Sequence, residues 1–596
     1  MIHDSRDVFE ERLKPESFHT MITGAMDARR ALLLAISTGA GKTHNLRKYI
    51  VSGLWRQIFG VVVIALYTRD QIDEVAAELR EEGVSVGVYP DIESAPCMPN
   101  NLVRDLVKQG QDLVLQRTEC RHCSHKKTCR YIRRTKAATY AGYDVIIIPE
   151  QVLGLVPNIV QRLAKPRRPL LVLDEVVSAN ARFLTTITAK DVEDDRLVAE
   201  SLGLASLAAY LSDLGNVPFP EDVAFGKAFF TMSVKGPHIV SGYRCHLREA
   251  SNYARAAVRW HEGDVYAYQQ LPVLPTGTIF MGAYLSPALL AFLFDIPEPL
   301  NPFAGEIVVH PQTRIYNLQT TAMAKGKRWQ SLERICNLIA DLYVQQRALG
   351  KRLVVLGSKG EIERQPPAEL VAGLNHALER RGKVGVRVVH WQADNLRPDD
   401  IVFLTYGATG SNRLKDCHVL VVANAFYVTP QIVQGILFGH LKPSERPKVH
   451  IRKDRTCTVG NGADAGLNRL ANLLLFRLEA DVMLQGVGRI RQAVEPRLVI
   501  MSSWYNLEPQ IGPSCVLTTF EDVRDAFGLP DTRTAVRDVK LLRAVTLARQ
   551  GGTLPAIATA IGVSRSWLAA ALAAAGIHLQ RGRPLKTPPA ASASSQ

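Results

Sequence analysis

The chain has 596 residues, of which 47% are hydrophobic and 22% are charged. This balance supplies apolar side chains for several buried cores, so it excludes a chain that is mainly disordered. Lysine and arginine exceed aspartate and glutamate by 15 charges, a surplus that favours a polyanionic partner. Nine cysteines are too few for a disulfide scaffold in a chain of this length.

Secretion and membrane insertion are disfavoured by two segments. The N-terminal sequence MIHDSRDVFEERLK contains no apolar signal core, and Gly, Ser and Pro interrupt the apolar stretch from Ile279 to Phe294. Four cysteines fall between residues 97 and 129, which is typical of a metal site in a reducing compartment. We therefore predict a cytoplasmic protein without a membrane partner, whose protein partners stay open.

Short apolar runs that alternate with helical segments predict two α/β domains. Strands that are apolar along their whole length are typical of a parallel sheet covered on both faces. The predicted strands lie at residues 31–36, 60–66, 143–149, 169–173, 351–358, 386–391, 400–407, 417–424 and 496–503.

The remaining segments differ from this pattern in composition. One insertion is predicted to be mostly helical, a C-terminal segment reads as a compact helical unit, and the Pro/Ala/Ser-rich tail is typical of disorder. The predicted domains are a first α/β domain at 1–300, with a cysteine insertion at about 90–137 and a helical insertion at about 180–275; a second α/β domain at 301–515; a linker at 516–535; a helical domain at 536–580; and a tail at 581–596.

A glycine-rich loop, ISTGAGKT, follows the first predicted strand at residues 36–43, and a helix is predicted from about Thr43. Glycines let backbone N–H groups approach phosphate oxygens, a lysine reaches the β- and γ-phosphates, and a threonine hydroxyl binds Mg²⁺. Ile36 replaces the first glycine of the common pattern. The candidate nucleotide-binding residues are Thr38, Gly39, Ala40, Gly41, Lys42 and Thr43.

Two acids, Asp174 and Glu175, end the fourth predicted strand. Open α/β sheets bind ligands at this carboxyl end of their strands. Asp174 is suited to hold Mg²⁺, directly or through water, and Glu175 to orient and deprotonate an attacking water. An ordinary pair of helix-capping acids is the alternative interpretation.

In this order the segments resemble the motifs of superfamily 2 nucleic-acid helicases. The loop at 37–43, the Asp174–Glu175 pair and QGVGRIR at 485–491 resemble motifs I, II and VI. Residues in the places of motifs Ia, III and V lie at 66–69, 280–286 and 405–412. The resemblance covers about residues 30–510. It implies two RecA-like domains of the P-loop NTPase class, with ATP and Mg²⁺ in the cleft between them.

The resemblance also implies that Gln485, Arg489 and Arg491 act on the nucleotide from the second domain. Arginine suits this role because its planar guanidinium stays charged. There are three departures: the arginines are two residues apart rather than three, Gly-Ala-Tyr at 282–284 replaces Ser-Ala-Thr, and no glutamine precedes Lys42. A solvated basic helix end is the alternative interpretation of the arginine pair.

Cys97, Cys120, Cys123 and Cys129 form what we call the cysteine cluster. A CxxC pair with two further cysteines can complete a four-thiolate ligand set. Its position between motifs Ia and II resembles the insertion of XPD/DinG-type helicases, which implies a 4Fe–4S cluster. Structural zinc stays open because two histidines lie in the same segment, and so do unliganded thiols.

The segment around this cluster is strongly basic. Residues 117–136 contain eight Lys or Arg and one acid. Such a surface is suited to hold single-stranded DNA electrostatically. A solvated basic face is the alternative.

Residues 553–576 have the pattern of a helix-turn-helix, in which Gly562 permits the turn and Ser564 caps the second helix. The segment resembles the helix-turn-helix of resolvases and transposon-like regulators. This resemblance implies that duplex DNA contacts the start of the second helix. The implied DNA-contacting residues are Arg565, Ser566 and Trp567.

The sequence after this segment is basic as well. Arg581-Gly-Arg583-Pro resembles an AT-hook, whose arginines enter a narrow minor groove. Residues 536–596 carry eight Lys or Arg and one acid, which gives +7. A small bundle that binds protein is the alternative for the whole module.

These features together predict an ATP-dependent DNA helicase or translocase, with single-stranded DNA in the motor and duplex DNA at the C-terminal module. One alternative is a DNA-stimulated ATPase that moves on or remodels DNA without unwinding it. A second is a replication initiator or DNA-binding regulator whose ATPase acts as a switch. RNA stays open as a substrate.

Overall fold

The computed structural model of the chain describes residues 2–3, 7–36, 41–91, 95, 97, 120, 123–150, 152–153, 158–174, 184–187, 189–212, 257–261, 264–268, 273–308, 310–318, 328–358, 365–406, 414, 416–440, 448–452, 454–460, 462, 464–491, 495–503, 505–512, 515–529 and 532–577. The predicted site residues outside these ranges are Thr38, Gly39, Ala40, Glu175, Arg581 and Arg583.

The N-terminal half folds around one large sheet. Its described elements are β1 (Ile2–His3), α1 (Asp7–Arg12), α2 (Pro15–Asp27), β2 (Leu32–Leu34), α3 (Lys42–Ser52), a 3-10 turn (Leu54–Gln57), β3 (Val61–Leu66), α4 (Arg69–Glu81), β4 (Val86–Val88), α5 (Arg130–Arg133), a 3-10 turn (Ala137–Thr139), β5 (Val145–Pro149), α6 (Ile159–Ala164), β6 (Pro169–Leu173), β7 (Leu184–Ile187), α7 (Ala189–Ser201), α8 (Ala205–Ser212), β8 (Ala257–His261), β9 (Asp264–Tyr268), β10 (Thr278–Met281) and α9 (Pro287–Phe294).

Six of these strands form the first sheet, in the order β2-β10-β6-β3-β5-β4, and all of its pairings are parallel. Successive residues of β3 enter two different apolar cores, with Val61 and Val63 in one and Val62 and Ile64 in the other. Because both faces are covered, the strand is apolar along its whole length. The predicted parallel α/β architecture is confirmed here.

The second half contains a second large sheet. Its described elements are β11 (Ile307–Val308), β12 (Arg314–Leu318), α10 (Arg328–Ala348), β13 (Leu353–Gly357), α11 (Ala368–Glu379), β14 (Val388–His390), β15 (Ile401–Thr405), β16 (Val419–Val422), α12 (Pro430–His440), β17 (Val449–Ile451), β18 (Cys457–Val459), α13 (Ala465–Gly488), β19 (Leu498–Ser502), α14 (Glu508–Ile511), β20 (Cys515–Thr518), α15 (Phe520–Ala526), α16 (Thr532–Arg549), α17 (Leu554–Ile561) and α18 (Arg565–Ala574).

The second sheet has seven strands in the order β14-β15-β13-β16-β19-β12-β20, again with parallel pairings throughout. β13 is buried along its whole length at the centre of this half, and the two strands at its sides are β15 and β16. The predicted fold class, two parallel-sheet α/β domains, is thereby confirmed.

One helix, α13, belongs to both domains. Leu474 and Leu478, in its middle, are buried in the same core as Phe280 of the first sheet. Leu484 and Val487, in its last turns, are buried with Leu356 of the second sheet. A helix of 24 residues is about 36 Å long, so one rod connects the two cores.

Within its described residues, the insertion at 180–275 contains strands as well as the expected helices. α7 and α8 are helices as expected, but β7, β9 and β8 form a three-stranded antiparallel sheet in that order. These strands are rich in β-branched and aromatic residues, and a two-residue connection joins β8 to β9. The sequence prediction overlooked these strands because each has only four or five residues.

The C-terminal helices α16, α17 and α18 pack around a small apolar core that contains Ala544, Ile557 and Leu568. The axes of α17 and α18 meet at 105°, an angle in the range of helix-turn-helix pairs. Gly562 has a φ of +63° at the turn, and Ser564 Oγ accepts a hydrogen bond from Trp567 N at 3.2 Å. Within the described residues no single helix is long and apolar enough to span a membrane, although this bent pair meets the criteria of length and composition.

The connection between the domains is anchored on both of its sides. On the first side, Arg12 Nη1 donates to Glu306 Oε1 at 2.8 Å, and β1 pairs with β11. On the second side, Thr313 Oγ1 donates to the Glu495 carbonyl at 3.0 Å. Of the described residues between the two sets of anchors, 310–312 form the connection.

Candidate nucleotide-binding site

Helix α3 begins at the end of the glycine-rich loop. Gly41 precedes it with a φ of +88°, a left-handed conformation that favours glycine. An added Cβ would lie 3.2 Å from Asn45 Nδ2, which donates to the Gly41 carbonyl. The Lys42 side chain is buried, and its Nζ donates to the Ile36 carbonyl at 2.5 Å. The lysine ammonium is therefore buried beside the residue that follows β2 by two positions, rather than extended into solvent.

The Asp174 carboxylate lies beside this loop. Thr43 Oγ1 donates to Asp174 Oδ2 at 3.0 Å, and Asp174 itself is buried. Its backbone N–H donates to the Ala65 carbonyl of β3 at 3.2 Å. In the first sheet, β10 stands between β2, which leads to the loop, and β6, which leads to Asp174. The fold thus brings Thr43 and Asp174 together across 131 residues.

This arrangement is suited to a nucleoside triphosphate with Mg²⁺. Hydroxyl and carboxylate oxygens are ligands that Mg²⁺ prefers, and Thr43 and Asp174 supply one of each. The N-terminus of α3 and the Lys42 ammonium both favour negatively charged phosphate groups. Glu175, the predicted base, falls outside the described residues.

The predicted residues of the second domain lie at the end of α13. Gln485 is in its last turns, and the Arg489 N–H donates to the Gly486 carbonyl at 3.2 Å. A Cβ added to Gly486 would come within 2.8 Å of Leu356, so the helix packs closely on β13. Arg489 is buried, and Arg491 has a φ of +57°, so the chain turns directly after the helix. Close packing and this turn fix the backbone from which all three side chains extend.

Sequence reasoning missed Arg477, which lies eight residues before Gln485 on α13. Its Nη1 donates to the carbonyl of Tyr284, in the loop after β10, and so joins the two domains. The partner is a backbone carbonyl 193 residues away, so no sequence pattern could have identified the pair.

Glu150 was also missed, although it directly ends the apolar strand β5 as Asp174 ends β6. It is 4% exposed, and neither of its carboxylate oxygens has a hydrogen-bond partner among the residues that the structure describes. Its N–H donates to the Leu66 carbonyl at 2.8 Å. Burial raises the pKa of its carboxyl to about 7. An unpartnered buried acid at the ligand-binding edge of a sheet is uncommon.

The cysteine cluster gathers in one neighbourhood. The pKa of the Cys120 thiol is raised to about 11, first by burial and then by the nearby thiols of Cys97, Cys129 and Cys123. The eight cysteines that the structure describes are free thiols. Among the described residues, no group of three or more His, Cys, Asp or Glu side chains is arranged to hold a metal ion. Proximity and donor chemistry suit iron–sulfur or zinc, while a closed ligand geometry is not formed by these residues.

The basic segment beside the cluster is partly ordered by an aromatic ring. The Arg134 guanidinium lies 3.6 Å from the centre of the Tyr131 ring, and its Nη1 donates to the Tyr131 carbonyl at 2.7 Å. Lys126, Lys127 and Arg130 are exposed. The segment therefore exposes three cationic side chains to solvent next to the packed Arg134–Tyr131 pair.

The predicted DNA-contacting residues of α18 differ in exposure. Arg565 and Ser566 are exposed at the start of the helix, whereas Trp567 is half-buried and packs against the core of the three C-terminal helices. Arg565 and Ser566 are thus accessible to a ligand, while part of the Trp567 ring stabilises the bundle.

No family model and no curated protein match the chain. Solved structures with a similar fold include S. tokodaii Xpd4, at 13% identity and a TM-score of 0.44 over 87% of this chain and 98% of that one. S. cerevisiae Dbp5, bound to RNA and ADP BeF3, has 9% identity and a TM-score of 0.34 over 83% and 87%. The Escherichia coli DEAH/RHA helicase HrpB has 13% identity and a TM-score of 0.33 over 85% and 44%. At these scores the likeness assigns no activity to the chain.

Proposed function

We propose that the chain is an ATP-dependent DNA helicase or translocase. The observation that carries this proposal is the contact between Thr43 and Asp174 at the carboxyl edge of the first sheet. It occurs in a chain whose two cores share one helix, α13. Gln485 lies in the last turn of this helix, and Arg489 directly follows it. A nucleotide held at one domain can thus control the position of the other.

The nucleotide would bind at the N-terminus of α3. Lys42 would contact the β- and γ-phosphates, and Thr43 and Asp174 would hold Mg²⁺, which neutralises phosphate charge. Glu175, next to Asp174 in the chain, would orient the attacking water. Backbone N–H groups of residues 38–41 would complete the phosphate site.

Arg489 and Arg491 would stabilise the charge that develops on the transferred phosphoryl group, with Gln485 beside them. Because they come from the second domain, hydrolysis would depend on the approach of the two domains. Repeated approach and separation would move a nucleic-acid strand.

We assign the cysteine cluster to a 4Fe–4S centre, with structural zinc as the alternative. Cys97, Cys120, Cys123 and Cys129 would be its ligands, and the basic segment that follows would contact single-stranded DNA. Metal analysis after anaerobic purification tests the assignment. Iron with acid-labile sulfide supports it, and stoichiometric zinc without iron overturns it.

The three C-terminal helices would bind duplex DNA and so retain the motor on its substrate. Arg565 and Ser566, which are exposed, would contact the major groove together with the accessible part of Trp567. Arg581 and Arg583 would enter an adjacent minor groove.

The test is ATP hydrolysis measured without nucleic acid and with single-stranded DNA, duplex DNA or RNA, alongside displacement of a labelled strand. Stimulation by DNA together with displacement supports the helicase, and absence of stimulation by any nucleic acid refutes it. Stimulation without displacement favours a remodelling ATPase. The replacement of Ser-Ala-Thr by Gly-Ala-Tyr at 282–284 supports this alternative. One turnover per binding event favours an initiator or regulator.

A further inference from the structure

Strand β10 lies between the two halves of the nucleotide site. Its last residue, Met281, pairs with Leu34 at the end of β2, and its Phe280 pairs with Leu173 at the end of β6. The loop that follows therefore starts level with both the glycine-rich loop and Asp174.

Tyr284 is the residue of this loop that reaches the second domain. Its φ is +70°, which is a strained conformation for a tyrosine. Its ring packs against the apolar core of the second domain, and its carbonyl accepts a hydrogen bond from Arg477 Nη1. The ring packing and the hydrogen bond of Tyr284 offset the energetic cost of its left-handed backbone conformation.

Arg477 is held in place from its own helix. Its side chain is 17% exposed, and its Nη1 lies 3.3 Å from Asp481 Oδ1, one turn later on α13. The guanidinium carbon lies 5.3 Å from the centre of the Phe476 ring. Residues 477, 481, 485 and 489 follow one another at four-residue spacing, so they form one stripe along the helix.

We propose that the hydrogen bond from Arg477 to the Tyr284 carbonyl couples the nucleotide site to the arginine-bearing end of α13. Arg477 is a positioning residue: it fixes where this helix sits along the edge of the first domain, and so places Gln485 and Arg489. The inference rests on the proposed function. It supplies a link between the domains at the point where Gly282 and Tyr284 replace the serine and threonine of the family pattern.

The test compares variants on the two sides of this hydrogen bond. Arg477→Met keeps the length of the side chain but removes the donor. Tyr284→Gly keeps the left-handed backbone and the carbonyl while removing the ring, whereas Tyr284→Val disfavours that backbone and displaces the carbonyl. Arg387→Met is the matched control, because Arg387 makes an ion pair with Asp400 elsewhere in the second domain.

We expect Arg477→Met to lower kcat for DNA-stimulated ATP hydrolysis about tenfold, which corresponds to the free energy of one hydrogen bond from a charged donor. The Kd for a fluorescent ATP analogue should change less than about twofold, since Lys42, Thr43 and Asp174 are intact. Tyr284→Val should show the same split, and Tyr284→Gly should retain more activity than Tyr284→Val. An unchanged kcat in Arg477→Met, or an equal loss in Arg387→Met, overturns the proposal.

A second measurement separates this inference from the proposed function. Hydrogen exchange at residues 485–491, with and without AMP-PNP and Mg²⁺, should show nucleotide-induced protection in the native chain and less in Arg477→Met. Protection in a chain that hydrolyses no ATP refutes the helicase while the positioning role stands. Equal protection in both proteins, or none in the native chain with the nucleotide bound, refutes the positioning role.

Discussion

The carboxyl edges of the two sheets differ in charge. The edge of the first sheet gathers ionisable groups, with Asp174 after β6, Glu150 after β5 and the Lys42 ammonium at the adjoining loop. The described residues directly after β13, β15, β16 and β19 at the second edge are neutral, namely Ser358, Tyr406, Ala423 and Ser503, and Asn424 follows Ala423. Within the described residues, the same architecture therefore carries different groups at its two edges.

The polar groups of Ser358, Tyr406 and Asn424 at the second edge form hydrogen bonds with one another. Asn424 Oδ1 accepts from Ser358 N at 2.9 Å, Asn424 Nδ2 donates to Ser358 Oγ at 2.6 Å, and Tyr406 Oη donates to the Asn424 carbonyl. The first edge instead holds charges that an anionic, metal-bearing ligand would complement. Because both sheets share one architecture, the charge at the strand ends, and not the fold, is the ground for proposing the nucleotide site at the first edge.

Lys42→Ala is the most direct test of whether the nucleotide binds at the first edge. It removes the ammonium that would compensate phosphate charge, so we expect DNA-stimulated ATP hydrolysis to fall about 10³-fold, within the range for such groups. Steady-state ATPase assays measure the effect, and Lys48→Ala, at an exposed position on the same helix, is the control. Unchanged turnover in Lys42→Ala would place the nucleotide elsewhere.

Asp174→Asn removes one negative charge from the first edge. We expect hydrolysis to fall about 10²-fold, with a weaker response to Mg²⁺, because the amide is a poorer ligand than the carboxylate. A Mg²⁺ titration of ATPase activity checks this. Asn424→Ala, at the second edge, should leave the Mg²⁺ response unchanged; if the two variants shift it equally, the division between the edges does not hold.

Glu150→Gln tests the first edge through the pH dependence of the free energy of unfolding. The unfolded carboxyl titrates near its ordinary pKa of 4.5 and the folded one near 7, so the folded chain keeps a proton that the unfolded chain releases. Native stability is therefore lost as the pH rises from about 4.5 through 7. The glutamine variant escapes this loss, which we expect to be worth about 1–3 kcal/mol at pH 8.

Thermal unfolding at pH 5 and pH 8 measures this effect of Glu150. The gain in midpoint of Glu150→Gln over the native chain should be larger at pH 8, while Glu82→Gln, at an exposed position, should show no such change. A gain that is the same at both pH values would mean that the carboxyl is not titrating in this range.

The last prediction concerns duplex DNA binding by the C-terminal helices, where we expect only a modest change. Arg565→Ala should weaken duplex DNA binding a few-fold and lower the slope of log affinity against log salt by about 1, as the loss of one phosphate contact does. ATPase activity without DNA should not change. Fluorescence anisotropy at several salt concentrations tests this, with the exposed Arg549→Ala in the same bundle as the control.

The elements of both large sheets could be predicted where the sequence carried the signal locally. β3, β5 and β6 are continuous apolar runs, and the turn before α3 is marked by Gly41. The short strands β7 to β9 could not, because a few β-branched residues beside a helical pattern leave the period undecided.

The candidate site divides in the same way. Thr43 and Asp174 could be paired from the sequence because each follows a recognisable strand. The bond from Arg477 to the Tyr284 carbonyl could not, since backbone carbonyls carry no sequence signal. Glu150 shared the strand-ending pattern of Asp174, but its burial without a partner depends on the packing of the whole domain.

The anchored connection between the domains contains a tight turn. At its centre the Thr313 N–H donates to the His310 carbonyl at 2.9 Å, and Pro311 restricts one torsion of the turn. The chain is therefore anchored on both sides of a short turn. A single residue inserted at this turn would lengthen the connection without changing the residues of either large sheet.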